Sequence, residues 1–162
     1  MLLEALSGLT DVPWHLIVVG NGSLRPSFEA EAKQKGCAHR IHFVGGASDE
    51  ELPDYYRAAD LHVFPSTERA EAFGLVALES AASGIPCVAS NLDGVRGVVK
   101  EGETGVLVPP RDSEALRETL RLLLEDPDEC LRLGTLARAR VEREFAWEGL
   151  IDRLEATYSH LV

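Results

Sequence analysis

Apolar residues along this chain come in short runs, each closed by glycine or proline and separated from the next by stretches of amphipathic pattern. His15 to Val19 (HLIVV) is a β-branched run that ends at Gly20-Asn21-Gly22, which predicts a strand leading directly into a turn. A polar, alanine-containing stretch from about Ser27 to Lys35 reads as a helix stopped at Gly36, and Ile41 to Val44 (IHFV) repeats the strand signal before Gly45-Gly46. Ser48 is placed to cap a helix beginning near Asp49, with Glu51 as its capping-box partner. Leu52, Tyr55, Tyr56 and Ala59 give that helix one apolar face. The alternation continues with a strand at Leu61 to Phe64, a helix from about Gly74 to Ser83 broken by Gly84, and strands at Pro86 to Ser90 and Gly105 to Val108. Three helices close the chain, from Ser113 to about Glu125, from Pro127 to about Glu144, and from Trp147 to about Leu161.

Strands that are nearly continuous apolar runs belong in a parallel sheet covered on both faces. The expected fold is α/β: an open, doubly wound, mostly parallel sheet of about five strands. Its ligand site should lie beyond the carboxyl ends of the strands, where the glycine turns gather. Leu2, Leu3 and Leu6 look like the tail of an amphipathic helix too short to stand alone, so this stub docks on the sheet or belongs to an element of a larger protein.

At 162 residues the length fits a single domain. Asp and Glu number 27 against 16 Lys and Arg, a formal charge of −11. That balance argues against a broad nucleic-acid footprint or an anionic-membrane surface, although a local site can still hold a small anion. Cys37, Cys87 and Cys130 are odd in number and widely spaced, so neither a disulfide framework nor a zinc site is expected. Met1 to Leu9 lacks a basic region and a long apolar run, and a cytoplasmic protein is the plain expectation.

The Gly20-Asn21-Gly22 turn permits close backbone approach to a phosphate or a sugar, and is also what an ordinary turn looks like. It lacks the third glycine of a dinucleotide fingerprint, and no Gly-Lys-Ser/Thr occurs for a P-loop. Gly45-Gly46 is open to the same two readings. The informative segment is Arg69 to Ser83 (RAEAFGLVALESAAS). Glu71 precedes the helix, and the Phe73, Gly74 and Leu75 amides of its first turn could donate to a ligand phosphate with help from the helix dipole. Glu79 falls four residues past Leu75, on the same side one turn on. From spacing alone, the ordinary account is favoured: one Glu stabilising the helix start and another in solvent. The apolar residues around Glu79, however, predict a largely buried helix whose carboxylate needs a partner, namely Arg69, Arg96 or a ligand hydroxyl. Ser90 to Gly97 reads as a flexible loop from which Arg96 is free to reach into the same crevice and pair with a diphosphate, or to be an ordinary surface arginine. The histidines form no metal cluster, and each, including His62 on its strand, reads as a satisfied structural or surface residue; Ser66 and Ser80 lack a nucleophile elbow.

As an ordered set these motifs resemble the C-terminal, donor-binding domain of a family 4 retaining glycosyltransferase of the GT-B fold. The resemblance runs from Leu2 almost to the end, through LLEAL, VVGNGSLR, FVGGASDEELPDYYRAADLHVFPS, ERAEAFGLVALESAASGIPCVAS, SNLDGVRGVVKEGETGVLVPPRD and EFAWEGLIDRL. It implies that Glu71 acts at the catalytic position by binding hydroxyls of the donor sugar. Phe73, Gly74 and Leu75 would give backbone donors to sugar and diphosphate, with Arg69 the upstream arginine of the Ala-Phe-Gly version of the motif. Glu79 would bind the ribose, Gly22 would approach the diphosphate, and Val44, Gly45 and Gly46 would flank the base. Arg96, and more weakly Arg25, would counter the diphosphate charge. The donor would be a UDP- or GDP-sugar, with no metal and no cofactor. Ala72, Asp93 and Gly97 depart from the commoner residues of the family and bear on loop rigidity and sugar preference.

Residues 1–162 would then be a donor domain truncated at its N-terminus, lacking the first strand, a diphosphate-gripping lysine and the whole acceptor-binding domain with its histidine. The isolated chain would turn over little or nothing, and its partners would be a nucleotide-sugar and the acceptor domain, in cis or as a separate chain. The full-length protein would be cytoplasmic, with a peripheral membrane position open to it. The competing reading is a non-catalytic interaction module, a homodimer or heterocomplex formed through Leu2, Leu3, Leu6 and the Trp147 to Leu161 helix. An epimerase of the same architecture is a more distant third.

Overall fold

The computed structural model describes residues 1–67 and 73–159, without the Glu148 side chain, and strand and helix alternate through it as the apolar rhythm predicts. A short helix α1 (Leu2–Ser7) leads to β1 (Leu16–Val19), α2 (Arg25–Gln34), β2 (Ile41–Gly45), α3 (Leu52–Arg57) and β3 (His62–Phe64). Then come α4 (Leu75–Ala82), β4 (Cys87–Ser90), β5 (Gly105–Val108), α5 (Ser113–Glu125), α6 (Pro127–Glu144) and α7 (Trp147–Ser159). The five strands are parallel. Their hydrogen bonds group them as a β1-β2 pair and a β3-β4-β5 triple, with Leu16 opposite Ile41 and Val88 between Val63 and Val106. Both groups feed one apolar core: Leu16, Val18 and Phe43 from the pair pack with Val63, Val88 and Val108 from the triple, under Leu116, Leu120 and Leu133 of the covering helices. Every residue of β4 is buried, the pattern of a central parallel strand.

The N-terminal stub docks, although on a helix: α1 packs on α5, burying Leu3, Ala5 and Leu6. Tertiary packing thus stabilises a six-residue helix that would melt alone. The reciprocal Ser48–Glu51 bonds of the expected capping box form, but they close a turn ahead of α3, which starts at Leu52 and not near Asp49. The Ser48 amide donates to Glu51 at 2.9 Å, and the Glu51 amide donates to the Ser48 hydroxyl at 3.3 Å. No helix among the described residues is long and apolar enough to cross a membrane.

Two expectations are corrected. The helix after the Arg69 segment is not largely buried: Ala77, Ser80 and Ala81 face inward while Leu75 is 62% exposed and Val76 36%. Its small residues make the inner face, because α6 approaches closely there. Gly134 of α6 sits so near the turn before β4 that a Cβ on it would come within 2.1 Å of the Gly84 carbonyl oxygen. The loop after β4 is not a free arm either. Val95–Gly97 form a turn of 3-10 helix, and Leu92, Val95, Val98 and Val99 are buried in a second cluster with Ala77, Cys87 and Ala89.

Candidate functional site

Four of the sequence-selected segments stand at or just past the carboxyl ends of strands. The turn after β1 carries Gly22, which is exposed, and a Cβ built on it would meet nothing within 4 Å. The turn after β2 carries Val44, 41% exposed, then Gly45 and Gly46. The two turns are joined: the Gly20 amide donates to the Gly45 carbonyl at 2.6 Å, and the Asn21 side chain lies across the second turn, 2.9 Å from where a Cβ of Gly46 would be. Arg25 is committed to this scaffold. Its guanidinium pairs with Glu29 at 2.7 Å, donates to the Phe43 carbonyl at 3.1 Å and lies over the Phe43 ring. An arginine held this way stiffens the turn between its strands and has little reach toward a ligand.

Phe73, Gly74 and Leu75 form the entrance to α4. Gly74 is buried with φ 78°, a left-handed conformation in which other residues are strained, and it is the residue at which the chain turns into the helix. Phe73 is 40% exposed and meets Phe145 edge to face at 6.1 Å. Glu71, the sugar-contacting candidate, and Arg69, the upstream donor-binding arginine, lie outside the described residues.

Glu79 is exposed, on the outward face of α4 that it shares with Leu75 and Val76. Its partner is not an arginine. The Tyr56 hydroxyl of α3 donates to its Oε2 at 3.0 Å and lies 3.3 Å from the Val76 carbonyl. Burial, reinforced by the carboxylate, raises the Tyr56 pKa, so the hydroxyl remains a donor. Together Glu79 and Tyr56 line a cavity of about 490 Å³ between α3, α4 and α6, bordered also by Asp49, Leu52, Arg57 and Arg138. Arg96 is turned onto its own loop, donating to Asn91 Oδ1 at 2.6 Å and to Asp93 Oδ1 at 2.8 Å. Exposed pairs of this kind contribute little, so the guanidinium can be exchanged to an anion at small cost.

The sequence reading missed Tyr56 as the group that orients Glu79. The spacing of Leu52, Tyr55 and Tyr56 shows a helix face, but not which helix that face meets. It also left His62 as a satisfied structural histidine. On β3 that ring stacks edge-on against Tyr56 at 5.5 Å, its Nε2 has no hydrogen-bond partner, and burial lowers its pKa to about 4.

Comparison with known proteins gives the site a context. The family model described as "Glycosyl transferases group 1" matches residues 1–140. D-inositol 3-phosphate glycosyltransferase of Thermobispora bispora is 42% identical over 143 residues, covering 86% of this chain and 32% of that protein. HepE of Anabaena, solved in complex with UDP-glucose, superposes with a TM-score of 0.87 at 26% identity, covering 98% of this chain and 44% of that one. The C-terminal domain of a group 1 family glycosyl transferase (LpcC) of Francisella tularensis superposes with a TM-score of 0.80 at 28% identity, over 90% of this chain and 77% of that one. The chain spans less than half the length of the curated relatives it matches. The family 4 designation suggested by the motifs is corrected by the first of these findings: the model that matches is that of group 1.

Proposed function

We propose, from the premise that this chain belongs to the glycosyl transferases group 1 family, that it is the domain of a longer glycosyltransferase that binds a nucleotide-diphosphate sugar. The acceptor would be held by a separate domain, in cis or on a partner chain, and transfer would proceed with retention. The observation that carries this reading is the α4 entrance. Gly74 turns the chain into the helix in a left-handed conformation, and Glu79, one turn past the exposed Leu75, keeps its carboxylate in solvent at a cavity edge with the Tyr56 hydroxyl holding it. HepE, solved with UDP-glucose, has the same fold and supports a nucleotide-sugar as the ligand class.

In this reading the nucleoside lies along α4 with its ribose hydroxyls on Glu79. The base lies against Val44, Gly45 and Gly46, and the diphosphate between the amides of Phe73, Gly74 and Leu75 and the backbone at Gly22. Arg96 swings from Asp93 to the diphosphate, and Arg69 and Glu71 meet phosphate and sugar. Helix-terminal amides and a mobile guanidinium stabilise the charge that develops on the departing diphosphate. Transfer needs donor and acceptor held together, so one wall of a cleft binds without turning over at a useful rate. The ladder interruption between the two strand groups would take a further parallel strand from the longer protein.

Calorimetric titration of UDP and GDP into the wild type and Glu79→Ala tests the proposal. Binding by one nucleotide that weakens at least tenfold in the variant is expected, and flat curves for both proteins refute it. A second reading, a non-catalytic docking module, is favoured by α7, whose Trp147 is 77% exposed alongside Ile151, Leu154 and Tyr158. Of the contacts expected for such a module, Leu3 and Leu6 are already buried against α5 and are not available. Assembly at micromolar concentration by light scattering, with no nucleotide response, would select that reading.

A further inference from the structure

Arg140, on the last turns of α6, is only 8% exposed. A guanidinium taken out of water must have its donors satisfied and its charge paired. Here Nη2 donates to the Gly97 carbonyl at 2.7 Å and Nη1 donates to the neighbouring Val98 carbonyl, while Nε pairs with Glu144 at 2.9 Å. The guanidinium lies over the Phe145 ring, 5.3 Å from its centroid, and Phe145 in turn meets Phe73. Gly97 and Val98 close the loop that begins at Asn91 and carries Arg96, and Phe73 opens the entrance to α4. One buried side chain therefore touches the loop behind Arg96 directly and the α4 entrance through a single ring. The loop and α4 also meet directly, Val95 packing with Ala77 in the second apolar cluster, and Arg140 adds a charged, hydrogen-bonded hold on the loop's end.

We propose that Arg140 is a positioning residue for a nucleoside diphosphate. By forking onto two successive carbonyls it sets where the Asn91–Val98 loop can present Arg96, and through Phe145 it sets Phe73 at the helix entrance. The inference rests on the donor-binding reading above and adds to it a residue that touches no ligand. A planar fork can satisfy two carbonyls at once, whereas an ammonium on a flexible stem supplies the charge without that geometry. The effect therefore belongs to arginine and not to positive charge in general.

The test uses the full 162-residue chain. UDP, GDP and the matching monophosphates are titrated calorimetrically into the wild type, Arg140→Met, Arg140→Lys, Arg96→Ala and the Arg96→Ala/Arg140→Met double variant, with a thermal melt of each. Both Arg140 variants should bind the diphosphate about tenfold more weakly, with the monophosphate much less affected. The loss should largely vanish when Arg96 is already alanine. A merely structural arginine would weaken both nucleotides alike and to the same degree with or without Arg96, and that result overturns the proposal. So does wild-type affinity in either folded Arg140 variant. If Arg140→Met fails to fold, Arg140→Lys and its double variant with Arg96→Ala carry the same comparison. A wild type that binds neither UDP nor GDP removes the donor reading itself, an outcome distinct from a binding wild type whose Arg140 variants are unchanged.

Discussion

Replacing Gly22 by alanine separates what the fold requires from what a ligand requires. Gly22 is exposed, is not among the glycines held at positive φ, and offers open space for at least 4 Å around a new Cβ. Nothing in the folded chain opposes the methyl group. The unfolded chain loses freedom instead, a gain of about 0.4–1 kcal/mol in folding stability. A diphosphate lying against this backbone would feel the change differently, because a methyl group at the point of approach displaces the phosphate from its donors. A charge-assisted hydrogen bond contributes about 1.5–3 kcal/mol, so UDP or GDP should bind roughly ten- to a hundredfold more weakly. Calorimetric titration beside a thermal melt reads both effects: the melting temperature should hold or rise slightly while affinity falls. If the wild type binds and Gly22→Ala binds equally well, the diphosphate does not approach this turn. A fall in melting temperature of several degrees would show that the glycine serves the fold.

Packing, hydrogen bonding and burial can each be perturbed at one further residue. Gly134→Ala gains about 1 kcal/mol of helix propensity, but its Cβ would stand 2.1 Å from the Gly84 oxygen and 2.9 Å from the Gly84 carbonyl carbon. These are backbone atoms that cannot turn aside, so an overpacking cost at or above the upper end of about 1–3 kcal/mol should outweigh that gain, read as a lower urea midpoint. Tyr56→Phe removes the 3.0 Å hydrogen bond to a Glu79 carboxylate that water can still reach. Stability should fall by no more than about 1 kcal/mol while nucleotide affinity drops a few-fold, less than in Glu79→Ala, and an unchanged affinity would show that Glu79 needs no holding. His62 has its pKa lowered by burial to about 4, so below its ordinary value of 6.5 the unfolded chain takes up a proton that the folded chain resists. Its contribution is intact above that value and is lost as pH falls toward 4, by at most about 3 kcal/mol. Urea midpoints at pH 7 and pH 5 should therefore diverge more in the wild type than in His62→Phe.

The parts of this fold legible in the sequence are those whose determinants are local. β5, α5 and α6 begin and end where the residues say they should, because Asp112 caps α5, Asp126 caps α6 and Pro127 opens it. The Ser48–Glu51 capping box was readable for the same reason. What the sequence withheld depends on partners far along the chain. The docking of α1 needs α5, and the exposure of Leu75 and Val76 follows from which face of α4 the helix α6 packs against. For the site, the residue pattern placed Gly22, Gly45 and Gly46 in turns after strands, the Phe73–Leu75 amides at a helix start and Glu79 one turn further inside that helix. It could not reveal that Tyr56, rather than Arg96, takes the Glu79 carboxylate, nor that Asn91 and Asp93 hold Arg96. Arg69 and Glu71 lie outside the described residues, so their expected roles rest on the sequence alone.

The long helix α6 connects these facts. At Gly134 it presses on the turn that precedes β4, and at Arg140 it holds the loop that follows β4. Those positions are six residues apart, roughly 9 Å along a helix, close to the span of the four-residue strand between the two loops. The helix therefore acts as a strut with both ends fixed, and interiors packed this closely transmit displacement instead of absorbing it. A methyl group forced in at Gly134 should push α6 away from the sheet and pull the Arg140 fork off Gly97 and Val98, although Gly134 lies far in sequence from every proposed ligand contact. Gly134→Ala should then lose nucleoside diphosphate affinity together with stability, and lose little further affinity when combined with Arg140→Met. Gly22→Ala, acting at the ligand itself, should add its full loss to either. If Gly134→Ala lowers the urea midpoint and leaves UDP and GDP affinity untouched, α6 is packing alone and the strand-tip loops keep their places without it.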